Sequence, residues 1–134
     1  MNSLGLHWIA ELYDCDRDIL DNRQVIEDVM MEAVLASGAT PLTSNFHQFA
    51  PQGVSGVIII SESHFTIHTW PELGYAAIDI FTCGDLINNQ KAMQILKEGF
   101  RADDVHVSEL KRGDRDRIER TNAVRRQLDG VQTG

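Results

Sequence analysis

Three runs rich in β-branched and aromatic residues follow one another between Val54 and Cys83, with only a few residues between them. They are 54–61 (VSGVIIIS), 64–70 (HFTIHTW) and 75–83 (YAAIDIFTC). Such residues favour strands. Links this short allow only antiparallel neighbours, because a parallel crossover needs a dozen or more residues. Within 64–70 the alternation is clean. Phe65 and Ile67 fall on one face, and His64, Thr66, His68 and Trp70 on the other. Pro71-Glu72-Leu73-Gly74 reads as a turn.

The flanking sequence extends this meander. Residues 6–13 (LHWIAELY) alternate Leu6, Trp8, Ala10 and Leu12 with His7, Ile9, Glu11 and Tyr13. Residues 41–49 form a further strand that ends at a Pro51-Gln52-Gly53 turn, and 104–110 form a last one. A helix is predicted over 22–37, with Asp21 as N-cap, Gly38 just past its end, and a stripe of Val25, Ile26, Val29, Met30, Ala33 and Val34. A second, over 88–99, carries Ala92, Ile95 and Leu96. The order is strand, helix, four strands, helix, strand. It implies one α+β domain over 1–134, a two-layer sandwich of a mainly antiparallel sheet with both helices on one face. The other face, with His68 and Trp70, must be solvated or buried against a second protomer. After Gly113, residues 114–134 are charge-dense and read as a solvated helix or a loose tail.

Charge and composition exclude several classes of function. The net charge of −8 repels phosphate backbones, so nucleic acid is not an expected partner. The longest aliphatic run, Val57 to Ile60, is far too short to span a membrane. Glu11, Asp14 and Asp16 arrive too early for a secretory signal. Two cysteines, Cys15 and Cys83, form no CxxC pair and no disulfide framework, which fits a cytoplasmic protein.

The chemistry-bearing residues concentrate between His47 and Cys83. Each has an ordinary structural reading: a polar hairpin tip at Ser61–His64, a sheet histidine at His68, a buried apolar thiol at Cys83. Three reactive readings stand beside these. Zinc is one, but His64 and His68 are four apart on a strand, roughly 13 Å, and cannot share an ion. A set of His47, His68 and Cys83 across strands stays open, although no metal is expected. A Cys83–His68 nucleophile pair is the second. In the third the backbone is the reactant. Ser63 attacks the carbonyl of Glu62, the amide becomes an ester, and elimination cuts the chain, given a proton acceptor and donors to the oxyanion.

The stretch FHQFAPQGVSGVIIISESHFTIHTWPELGYAAIDIFTCGD closely resembles the prokaryotic S-adenosylmethionine decarboxylase proenzymes. The likeness runs from about Leu4 to Gly113, with IAELYDCD near its start and ELKRG near its end. Its most specific motifs are SESHxTIHTWPE and DIFTCGD. The resemblance implies self-cleavage between Glu62 and Ser63, giving a β chain of 1–62 and an α chain of 63–134. Ser63 would become a pyruvoyl cofactor at the head of the α chain. His68 resembles the family's processing histidine, Ser55 a serine that assists it, and Cys83 the cysteine that returns a proton after decarboxylation. Phe49 resembles an aromatic that stacks on adenine, Glu72 a carboxylate that holds the ribose hydroxyls, and Trp70 a pocket wall. Leu73 and Leu6 depart from residues common in the family and touch none of these roles.

By the same resemblance the pyruvoyl carbonyl would take the substrate amine as a Schiff base and act as the electron sink. The expected activity is decarboxylation of S-adenosylmethionine for polyamine (spermidine) synthesis, by a homodimer of cleaved protomers with sites at or near the interface. A pyruvoyl-dependent arginine or ornithine decarboxylase is the alternative, though such substrates lack the nucleoside that Phe49 and Glu72 would hold. An inactive homologue would have lost Ser63, His68 or Cys83, and all three are present.

Overall fold

The computed structural model describes residues 2–83 and 86–133. Gly84 and Asp85, the end of the DIFTCGD motif, lie outside the described residues. The strands are β1 (Ser3–Tyr13), β2 (Pro41–Gln48), β3 (Val54–Ile60), β4 (Ser63–Trp70), β5 (Tyr75–Thr82) and β6 (Asp104–Asp114). The helices are α1 (Arg17–Leu20), α2 (Arg23–Ala36), α3 (Asn89–Gly99) and α4 (Arg115–Thr133). The strands form one sheet in the order β2-β3-β4-β5-β1-β6, and every neighbouring pair is antiparallel. This is the expected two-layer sandwich, with α2 and α3 as the helical layer and two further helices, α1 and α4, at the margins.

The core lies between sheet and helices. Ala10 and Leu12, Ile58 and Ile60, Phe65 and Ile67, and Ala76, Ile78 and Ile80 come from the sheet. Ile26, Met30, Ala33 and Val34 of α2 meet them, with Ala92, Met93 and Leu96 of α3. Gly56 is required where β3 passes under Phe46, because a Cβ there would sit 2.0 Å from the Phe46 ring. Phe65 is wholly buried at the centre. Phe65→Ala is expected to cost about 3–5 kcal/mol, read as a lower denaturant midpoint with an unchanged slope.

Local differences from the sequence reading have physical causes. The N-cap of α2 is Asn22, whose side chain accepts from the Val25 N–H at 3.1 Å. Asp21 is used elsewhere: its Oδ1 accepts from the Gly53 N–H and the Gln48 side chain, both at 2.9 Å. Gly38 follows α2 at φ +88°, as its position predicts. α1 is a single turn capped by Asp16. β6 runs on to Asp114 because Ser3 and Gly5 pair with Asp114 and Arg112. α4 is a solvated helix, capped by Asp114 Oδ1 at its first turn. Among the described residues no helix is long and apolar enough to cross a membrane.

Candidate active site

The registers decide which side chains share the uncovered face. One row across the sheet reads His47, Ser55, His68, Ala77, Glu11, His106; another reads His64, Phe81, His7. All five histidines of the chain therefore stand on the face that the helices leave open. Sequence patterning pointed to His7, His64 and His68; His47 and His106 follow only once the register is known. A groove of about 450 Å³ on this face is lined by His47, Ser55, Thr66, His68 and Asp79 among others.

The reacting end lies where β3 turns into β4. Ile60 pairs with Ser63, so Ser61 and Glu62 make the whole turn. Glu62 takes φ +63°. Two-residue hairpins favour Gly or Asn at positive φ, and a side chain in the left-handed region costs of the order of 1–2 kcal/mol. The peptide after Glu62 thus carries local strain. Ser63 is buried, and its Oγ accepts from the Cys83 N–H at 3.0 Å. The Cys83 thiol donates to the Glu62 carbonyl oxygen at 2.9 Å. Cys83 reaches this position because β5 runs beside β4 and ends at Thr82, next to the turn. One residue thereby touches both the nucleophilic oxygen and the carbonyl that it would attack.

The remaining candidates gather at the opposite end of β4. His68 is paired with Ser55, and its ring lies 4.3 Å from Trp70 and 5.8 Å from Phe49. Phe49 packs edge-on against His47 at 4.6 Å. Trp70 stacks on Tyr75 at 5.1 Å, and Tyr75 on Tyr13 at 5.6 Å. Burial, and then the Glu11 carboxylate to which it donates, push the Tyr75 phenol up, so it stays a donor. Glu72 sits in a 3-10 turn, Pro71–Leu73, with its side chain exposed. Ser55 Oγ donates to the Ile67 carbonyl at 3.4 Å.

Two groups thus exist within one chain: Glu62, Ser63 and Cys83 at one end, and Phe49, Ser55, His68, Trp70 and Glu72 at the other. Five residues of strand separate Ser63 from His68, about 17 Å. A Cys83–His68 nucleophile pair within one chain is therefore excluded, since His68 pairs with Ala77, six residues before Cys83. The zinc set of His47, His68 and Cys83 is broken by the same separation, and among the described residues no three His, Cys, Asp or Glu side chains converge as a metal site. Cys15 is no nucleophile either: burial, then Asp14 and Asp103, push its thiol up to about 11.

Sequence reasoning missed a second polar network on this face. His7 Nε2 and Asp79 Oδ1 are 2.9 Å apart, and Thr66 Oγ1 donates to Asp79 Oδ2 at 3.1 Å. The alternation of β1 set His7 apart from Ala10 and Leu12, but only the register places it beside β5 and Asp79.

Comparison with known proteins agrees with this fold. The sequence model of a family described as S-adenosylmethionine decarboxylase matches residues 6–113. The S-adenosylmethionine decarboxylase proenzyme of Thermotoga maritima is 58% identical over 118 residues, 88% of this chain and 91% of that protein. The proenzyme of Clostridium kluyveri is 55% identical over 113 residues, 84% of this chain and 90% of its own. Among solved structures, the adenosylmethionine decarboxylase of Aquifex aeolicus superposes with a TM-score of 0.78 at 34% identity, covering 84% of this chain and 93% of that one. A model match over most of the length, and identity above half to relatives matched over about nine-tenths of their own length, have one meaning: the chain belongs to the S-adenosylmethionine decarboxylase family.

Proposed function

We propose that this chain is a proenzyme that cuts itself between Glu62 and Ser63 and then decarboxylates S-adenosylmethionine at a site completed by a second copy. The observation that carries the reading is the double contact of Cys83, with its N–H on Ser63 Oγ and its thiol on the Glu62 carbonyl. Attack by Ser63 Oγ on that carbonyl carbon moves negative charge onto the carbonyl oxygen, where the thiol proton already points. The Ser63 nitrogen then leaves, and an ester replaces the amide. Loss of the Ser63 Hα and breakage of the Cβ–Oγ bond free the Glu62 carboxylate. Water then replaces the nitrogen at residue 63 as ammonia, giving the pyruvoyl group.

Removal of the Ser63 Hα needs a base. His68 has the right chemistry, but in its own chain it is about 17 Å away. A second copy related by a two-fold axis between the open faces, perpendicular to the strands, would set its His68 end over the Ser63 end of the first. The same pairing would cover a sheet face that holds Ile9, Val57, Phe81 and Trp70.

Ser63 is at a buried chain position with its oxygen held, which fits a residue converted to a pyruvoyl group; that group supplies an electron sink beside the substrate carboxylate. The chain's own residues do the rest. Phe49 offers a partly exposed ring for adenine and for the sulfonium charge. Glu72 offers an exposed carboxylate for ribose hydroxyls, and Trp70 closes the pocket wall. Cys83 Sγ holds the proton that the product carbon receives.

Cys83→Ala tests the carrying observation directly. Removal of one oxyanion donor costs about a hundredfold or more, so newly made variant chain should cut far more slowly, and Cys83→Ser, which keeps a donor, should recover much of the rate. Cutting by Cys83→Ala at the wild-type rate would overturn the role of the thiol.

A further inference from the structure

We infer that His7, held by Asp79, is a positioning residue for Cys83, and that it acts through the Phe81 ring. The inference rests on the proposed function and deepens it. Phe81, near the end of β5 and two residues before Cys83, turns its side chain to the open face, and the chain passes through Thr82 directly to Cys83. The Phe81 ring is packed from both sides: His64 stacks on it at 5.5 Å with planes 14° apart, and His7 meets it edge-on at 6.1 Å and 70°. Its tip lies over β1. A Cβ on Gly5 would sit 2.8 Å from Phe81 Cζ and 3.0 Å from the Thr82 carbonyl oxygen. The ring therefore occupies a slot that exists only because residue 5 is glycine, beside the backbone that leads to Cys83.

His7 is itself fixed. Asp79 Oδ1 faces its Nε2 at 2.9 Å, and Thr66 holds the second carboxylate oxygen at 3.1 Å. Beside a carboxylate Nε2 is the protonated nitrogen. Nδ1 is buried with no hydrogen-bond partner among the described residues, so the Asp79 contact alone fixes the ring by hydrogen bonding. The ring is thus held in one orientation. Loss of the Asp79 contact frees His7 to turn, the Phe81 ring gains room, and the strand end that carries Cys83 loses its fixed relation to Ser63 and Glu62. Misplacement of a reacting group by about 1 Å costs up to a hundredfold.

The test compares His7→Leu, Asp79→Ala, Asp79→Asn and Gly5→Ala with the wild-type chain, by two readouts: the half-time of chain cutting, and kcat and KM for S-adenosylmethionine. His7→Leu, Asp79→Ala and Gly5→Ala should each slow cutting and lower kcat about tenfold or more, with KM little changed, because Cys83 and not the substrate pocket is displaced. Asp79→Asn still accepts from Nε2–H and should stay near the wild type. Should His7→Leu fail to fold, Gly5→Ala and the Asp79 pair carry the test. Wild-type rates in His7→Leu and Gly5→Ala would overturn the inference. So would Asp79→Asn as slow as Asp79→Ala, since that pattern marks a charge at work and not a position. Failure of the wild-type chain itself to cut would overturn the proposed function instead.

Discussion

Ser63→Ala is expected to give a single uncut chain near 15.0 kDa with no detectable decarboxylase activity. The side-chain oxygen at this position is both the nucleophile and the leaving atom of the elimination, and alanine supplies neither. No neighbour can replace it, because only a hydroxyl on residue 63 itself can be eliminated to leave the dehydroalanine that becomes the pyruvoyl group. Fold stability should fall only modestly, by about 1 kcal/mol, for the one hydrogen bond that Ser63 Oγ accepts from the part-buried Cys83 N–H. A folded, uncut and inactive protein is the signature; cutting at the same bond in this variant would remove Ser63 from the chemistry.

The second large effect is complementation between two dead variants. Ser63→Ala keeps the His68 end of the chain intact, and His68→Ala keeps the Ser63 end. Each alone should be inactive, His68→Ala through slow or absent cutting. Produced together, they form mixed pairs in which the Ser63 end of one copy meets the His68 of the other. Half of randomly formed dimers are mixed, and one of the two sites in each is complete, so activity should reach about a quarter of the wild-type value. The cut should appear only in the His68→Ala chain. No activity in the mixture would mean that the site is built within one chain, against the separation of its two groups.

Much of this was readable in the sequence, and the limits are physical. The period of two in 64–70 assigned Phe65 and Ile67 to the core and His68 and Trp70 to the other face, and the burial pattern of β4 agrees residue by residue. The same period fixes the distance from Ser63 to His68. The motifs named the family, whose comparison with known proteins agrees. The Cys83 contact with Glu62 was not legible, because it depends on the β4–β5 register and on where β5 ends. The His7–Asp79 pair has the same cause: two strands far apart in sequence become neighbours only after β5 inserts between β4 and β1. Asp21 reads as a helix cap by local rules, and a tertiary contact with Gly53 takes its carboxylate away. α1 is too short to carry a periodic pattern, and its Asp16 cap was the only signal for it.

Every step proposed for this chain depends on a cut in its own backbone between Glu62 and Ser63, and the intact mass of the purified protein under denaturing conditions reads that cut in one measurement. Two fragments that meet at this bond, with the fragment beginning at residue 63 carrying a pyruvoyl group instead of an amine, are the result predicted here. A single species near 15.0 kDa that stays whole on prolonged incubation would contradict it.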